Sequence, residues 1–156
     1  GSSNPQSPRH ARRRAETWRA MSDLLSEGRA RAIGVCNMSP RQMEALFEAT
    51  GVLPAVLQME FHPALQRNDT LRWCLERGVV VQGYGSGGGY QKKGRPRTGP
   101  DFLSAPAIKD AAVAHGVIPH QIVLRWTLQR GVIVLPMSTN SEHQRENLRL
   151  FHFDLS

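Results

Sequence analysis

Cysteine is nearly absent from this chain: Cys36 and Cys74 are the only two in 156 residues. They stand in no C-x-x-C or Cys/His spacing, which argues against a zinc site, and two thiols build no disulfide framework. Long apolar runs are missing as well. No stretch approaches the length that crosses a bilayer, and no basic, apolar, small-residue signal pattern opens the chain. Acidic residues are outnumbered, 13 against 20 Lys and Arg, for a formal net charge of +7. Charged residues still make up only 21% of the chain, too few for strongly charged disorder, while 40% are hydrophobic. Together these shortages describe one ordinary soluble domain with reduced thiols, and a cytoplasmic setting is the expectation.

The positive charge is mostly arginine, and its one dense cluster is Arg9, Arg12, Arg13 and Arg14. No aromatic residue is interleaved with it, and no helix-turn-helix or basic-zipper context lies nearby. It therefore reads as the solvated face of a helix start rather than a nucleic-acid footprint.

Residues 1–10 read as a loop, because Gly1 to Pro8 is rich in Ser, Asn and Pro. From Ala11 to Ser26, Trp18, Met21, Leu24 and Leu25 recur at helical spacing and Gly28 sits where a helix stops. The apolar run Ala32 to Val35, ending at Cys36 and Asn37, suits a buried parallel strand. Ser39-Pro40-Arg41-Gln42 has the chemistry of a capped helix start, with Met43, Leu46 and Phe47 as the buried face and Gly51 as the stop. Strands are expected at Val56 to Glu60, Val79 to Tyr84 and Val132 to Leu135. Helices are expected at Leu71 to Arg77, Ala107 to His115, Pro119 to Gln129 and, capped by Asn140 or Ser141, through Glu146 to Phe151. A glycine-rich loop from Gly85 to Pro100 interrupts the rhythm.

Strands separated by helices of this length imply a parallel sheet, since parallel neighbours cannot be joined by tight turns. The fold class is therefore α/β. Periodicity leaves open whether the four strands are half of a (β/α)8 barrel or an open doubly wound sheet. In both, the polar residues at the C-terminal ends of the strands line the site. Those residues are Cys36 and Asn37, then Gln58 and Glu60 with His62, then Tyr84 with Ser86, then Ser138 to Asn140.

The same strand ends carry a resemblance. Ala32-Ile33-Gly34-Val35-Cys36-Asn37 resembles the A-I-G-V-S-N of the fifth strand of aldo-keto reductases, and Val56 to Pro63 resembles V-N-Q-V-E-F-H-P of the sixth. Gly83-Tyr84-Gly85-Ser86 is similar to the A-Y-S-P that ends the seventh. Leu135 to Asn140, Glu146-Asn147-Leu148 and Phe151-His152-Phe153 resemble I-P-K-S, E-N and F-D-F. Several motifs in register from about Arg12 to Leu155 are far more specific than any one of them. The resemblance implies the C-terminal half of a (β/α)8 barrel over residues 11–156, since a whole barrel runs to ~250 residues.

It also implies a cofactor, NADP(H), and assigns residues to it one by one. Cys36, Asn37 and Gln58 match the positions that bind the nicotinamide carboxamide, and an amide side chain suits a carboxamide because it both donates and accepts. Tyr84 matches the residue that stacks on the nicotinamide ring. Gly85 and Ser86 open the stretch where the family contacts the pyrophosphate, and glycine N–H groups can cradle phosphate. Ser138 and Thr139 follow the fourth strand, and Glu146 and Asn147 match the residues that contact adenine. The lysine and arginine that hold the 2′-phosphate are replaced by Met137 and His143, which implies blunted discrimination between NADPH and NADH. His62 matches a histidine that is structural in the family. No metal site is expected.

The family's proton donor is a tyrosine tuned by lysine, aspartate and histidine, all on the first four strands, and neither Tyr84 nor Tyr90 falls in its motif. The expectation is a carbonyl oxidoreductase by family, inactive as this chain alone, that takes a small carbonyl substrate only when an N-terminal half completes it. A non-catalytic nucleotide-binding scaffold is the alternative. Open strand edges would favour a homodimer.

Overall fold

A computed structural model describes residues 8–87 and 101–156. Its helices are α1 (Pro8–Ser26), α2 (Pro40–Thr50), α3 (Asn68–Glu76), α4 (Pro106–His115), α5 (Pro119–Gln129) and α6 (Ser141–Leu148). Its strands are β1 (Gly34–Cys36), β2 (Val56–Glu60), β3 (Val80–Tyr84) and β4 (Ile133–Val134). They form one sheet in the order β1-β2-β3-β4. The pairing of β1 with β2 is parallel, with Cys36 opposite Gln58, and that of β3 with β4 is parallel, with Gly83 opposite Val134. Four parallel strands with flanking helices are the content of half a (β/α)8 barrel.

Several boundaries differ from the sequence expectation. α1 begins at Pro8, so residues 8–10 are helix rather than loop. Residues 1–7 and most of the glycine-rich stretch, from 88 to 100, lie outside the described residues. β1 and β4 are shorter than their apolar runs, and α6 stops at Leu148 rather than at Phe151. A 3₁₀ turn at Phe102–Ser104 carried no sequence signal.

The chain divides into two packing units. The first comprises Gly1–Gln58 and Asn68–Val80, and the second Met59–Arg67 and Val81–Ser156. In the first, Trp18, Ile33 and Leu46 form a buried cluster with Met21, Leu25, Val35 and Val52 around it. The Trp18 indole also donates to the Val52 carbonyl at 2.9 Å, so the largest core residue has its polar atom satisfied. α2 starts with a reciprocal cap: Gln42 N donates to Ser39 Oγ at 3.4 Å, and Ser39 N donates to Gln42 Oε1 at 2.9 Å. Met43 and Leu46 are buried as their spacing required, but Phe47 is 49% exposed. Position 47 lies a further 100° round the helix from Leu46 and falls off the packed stripe. Gly34 is required by a close approach, since a Cβ there would stand 2.7 Å from the Val56 carbonyl oxygen.

In the second unit, Phe61 is fully buried and stacks on Trp126 with ring centroids 5.4 Å apart. A second cluster joins Ala112, Ile122 and Phe153. Gln121, buried on α5, donates from Nε2 to the carbonyls of Glu146 at 3.1 Å and Arg149 at 2.9 Å. One amide thus satisfies two carbonyls at the open end of α6 and fixes that helix against α5. Among the described residues no helix is long and apolar enough to cross a membrane.

Candidate functional site

The strand ends of the first unit are held by backbone. Asn37 follows β1 in the left-handed region, at φ 53°, which asparagine tolerates better than most residues. In that conformation its N–H donates to the Gln58 carbonyl at 2.9 Å, extending the β1–β2 ladder by one bond. Along β2, Leu57 and Met59 are buried on one face, which puts Gln58 and Glu60, both half-buried, on the other. Two amide side chains therefore stand at the ends of neighbouring strands, with exposed Cys36 directly opposite Gln58. The other thiol, Cys74 on α3, is buried, and that burial pushes its pKa up to about 11 despite the opposing charge of Arg77.

The second unit has its own strand end, the corner after β3. The Tyr84 carbonyl accepts from Phe61 N at 3.1 Å, and Gly85 then turns the chain at φ 82°. A Cβ on Gly85 would be strained by that φ and would stand 3.2 Å from Glu60 Cγ. Ser86, 4% exposed, closes the corner through a hydrogen bond of 3.2 Å between its Oγ and His120 Nε2 on α5. His62 lies beneath, 2% exposed, with Nε2 3.4 Å from Glu60 Oε1 and its ring stacked on Phe102 at 4.6 Å. It is packed as a core residue.

Beyond β4 the expected residues gather at the start of α6. Asn140 caps the helix by accepting from Glu142 N at 2.8 Å and His143 N at 3.5 Å. Ser138 Oγ accepts from Asn140 N at 3.1 Å, and Gln144 Nε2 donates to the Ser138 carbonyl at 2.7 Å. Met137 is 88% exposed and Thr139 and His143 are exposed, whereas Glu146 and Asn147 are half-buried. Glu146 Oε2 is shielded from solvent and has no hydrogen-bond partner among the described residues. Arg145 and Arg149 line, with Glu146, a groove of about 540 Å³ beside the helix. Among the described residues no group of three or more His, Cys, Asp or Glu is placed to hold a metal ion.

His120 is the residue at this corner that sequence reasoning missed. It lies 34 residues from Ser86, inside a helix start where Pro119 and Gln121 drew the attention, and no local pattern points to it. A second, apolar groove of the second unit, also about 540 Å³ and lined by Ile108, Ala111, Ile122, Trp126 and Leu155, holds none of the expected site residues.

Parallel strands paired in simple chain order, without the reversal of order that marks a doubly wound sheet, place the chain in the barrel class of α/β proteins. Comparison with known proteins then specifies the family: residues 4–156 match the Aldo/keto reductase family, and the chain belongs to it. It is 38% identical over 141 residues to aldo-keto reductase family 1 member A1 of Gallus gallus, covering 90% of this chain and 43% of that relative. The Homo sapiens protein of that name is 36% identical over the same length. Among solved structures, an aldo/keto reductase from Brucella melitensis superposes with a TM-score of 0.82 at 30% identity, covering 97% of this chain and 54% of that one. A Bombyx mori aldo-keto reductase in complex with NADP gives 0.81 at 30% identity, covering 91% and 46%. The chain spans about half the length of the relatives it matches.

Proposed function

We propose that this chain is the cofactor-binding half of an NADP(H)-dependent aldo-keto reductase. The observation that carries the reading is the pair of amides at adjoining strand ends, Asn37 and Gln58, tied by the 2.9 Å bond from Asn37 N to the Gln58 carbonyl. Such a pair offers donors and acceptors to a primary carboxamide, and Cys36 adds a weaker partner where the family motif has serine. Tyr84 would supply the ring's stacking face, Gly85 and Ser86 the approach to the pyrophosphate, and Ser138, Thr139 and His143 the ribose phosphate end. Asn147 and Glu146 would hold the adenine. The shielded, unpartnered Glu146 Oε2 fits that last role, because a buried acceptor without a donor is costly and an adenine amino group would satisfy it.

When bound, the dinucleotide supplies a hydride. These residues bind and orient it, and none of them is a tyrosine in the family's acid motif. Carbonyl reduction accordingly needs a proton donor from outside residues 1–156, and a small carbonyl substrate would be bound only with that second half present. Discrimination by the 2′-phosphate is weakened, since neither Met137 nor His143 is a permanent cation. A fluorescence titration of the purified chain with NADPH and then NADH tests this. Binding of both, with affinities within about tenfold of each other, is expected. No binding of either would refute the reading.

Self-association is the second reading, favoured because β1 and β4 end the sheet and Ile133 on β4 is 46% exposed. An unprotected strand edge invites pairing, and a second copy would cover it. Light scattering before and after Val134→Lys checks this: an assembly that disperses or precipitates on substitution is expected, and a monomer in both cases is the contrary result.

A further inference from the structure

We infer that His120 is a positioning residue for the dinucleotide: its hydrogen bond to Ser86 orders the chain corner that follows Tyr84. This rests on the proposed cofactor site. The corner is built from a residue with little stiffness of its own. Gly85 sits at φ 82°, a region that glycine enters freely and also leaves freely, and the similar family motif has serine and proline where this chain has Gly85 and Ser86. A proline would limit the backbone by its ring. Serine does not, so something else has to restrain the chain here.

The restraint in this structure is a long-range side-chain contact. Ser86 is 4% exposed, and its hydroxyl lies 3.2 Å from His120 Nε2. His120 is the second residue of α5, and α5 is anchored in the core of its own unit by Ile122, Val123 and Leu124. Two turns further along, that helix reaches the strand as well: a Cβ on Gly83 would stand 3.6 Å from Thr127 Cγ2. On the side of β2, the Tyr84 carbonyl takes the Phe61 N–H, and Glu60 and His62 lie under Gly85. Backbone therefore fixes the entry to the corner at Tyr84, packing limits Gly85 from below, and His120 alone among these contacts holds its exit at Ser86. Loss of that bond leaves Gly85 free to rotate and takes Ser86 and Gly87 out of register with Tyr84.

Two measurements on the whole chain test the inference. The first uses hydrogen exchange on the free protein. His120→Phe and Ser86→Ala should each raise exchange at the amides of residues 85–87 about three- to tenfold, the range set by one net hydrogen bond. His120→Gln, which keeps a donor and acceptor at that site, should restore most of the protection. The second is NADPH affinity. Both disruptive variants should weaken it about three- to tenfold with the melting temperature lowered by only about 2–4 °C, and the double variant should be no worse than either single one, because the two side chains act through the same bond. Additive losses, or unchanged exchange at 85–87, overturn the inference. Raised exchange with unaltered affinity also overturns it, by separating the corner from the cofactor. A wild-type chain that binds no dinucleotide would instead remove the proposed function and end the positioning role with it, whatever the exchange data show about the bond itself.

Discussion

The two packing units hold their strand ends by different means. In the first, Cys36, Asn37 and Gln58 are placed by backbone pairing: the β1–β2 ladder, extended by Asn37 N to the Gln58 carbonyl at 2.9 Å. In the second, the corner at Gly85 and Ser86 depends on a side chain of α5, and the start of α6 depends on the Asn140 cap. The departures from the family's motifs at the proposed cofactor positions divide the same way. One, Cys36 for serine, falls in the first unit, while Gly85, Ser86, Met137 and His143 all fall in the second. A backbone ladder constrains the positions it runs through. A site held by a few side chains can be re-engineered by changing them in sets.

The largest effects should test whether the units are separable at all. Trp18→Ala, in the first core, and Phe61→Ala, in the second, each remove a fully buried aromatic ring and should cost about 3–5 kcal/mol in urea unfolding. If the units respond independently, hydrogen exchange rises only within the unit that was cut. A rise throughout the chain in both variants would erase the distinction.

Next in size is a pH effect that belongs to the first unit. Burial raises the Cys74 pKa to about 11 from the ordinary thiol value of 9.0, so folded and unfolded chains are both protonated at neutral pH and the thiol contributes no pH dependence there. Above 9.0 the unfolded chain loses its proton first and is favoured. Stability should fall by about 1.4 kcal/mol per pH unit from there toward 11, and Cys74→Ala should flatten that slope. Urea midpoints at pH 8, 9 and 10 would reveal it.

Smaller changes address the ligand. Tyr84→Ala should weaken NADPH by up to about tenfold through lost stacking, while leaving an ADP-ribose fragment that lacks the nicotinamide unaffected. Equal loss for both would detach Tyr84 from the ring. The smallest expected change is Asn140→Ala, about 1 kcal/mol, read as fraying of α6 by exchange at Glu142 and His143, whose N–H groups lose their acceptor.

Local chemistry was legible in the sequence and distant chemistry was not. The cap at Ser39 and Gln42 and the full extents of β2 and α5 were read from neighbouring residues, because each is decided within a turn or by strict alternation. Strand ends were overextended at Ala32 and Leu135, since an apolar run marks what is buried and not where a ladder bond ceases. Phe47 was misplaced because spacing gives the direction of a helix's buried stripe but not its width. At the site, the strand-end amides were visible as a motif. The Ser86–His120 bond was not, and neither was the stacking of Phe102 on His62, 40 residues away in sequence.

The contrast between the two thiols has a practical use. Cys74 is buried and remains protonated at neutral pH, whereas Cys36 is exposed at the end of β1. Thiolate is the form that alkylates, so a maleimide dye under native conditions should mark one residue per chain, without any engineered cysteine. That residue stands directly opposite Gln58, and the dye becomes a fluorescent reporter attached to the strand end proposed to meet the nicotinamide.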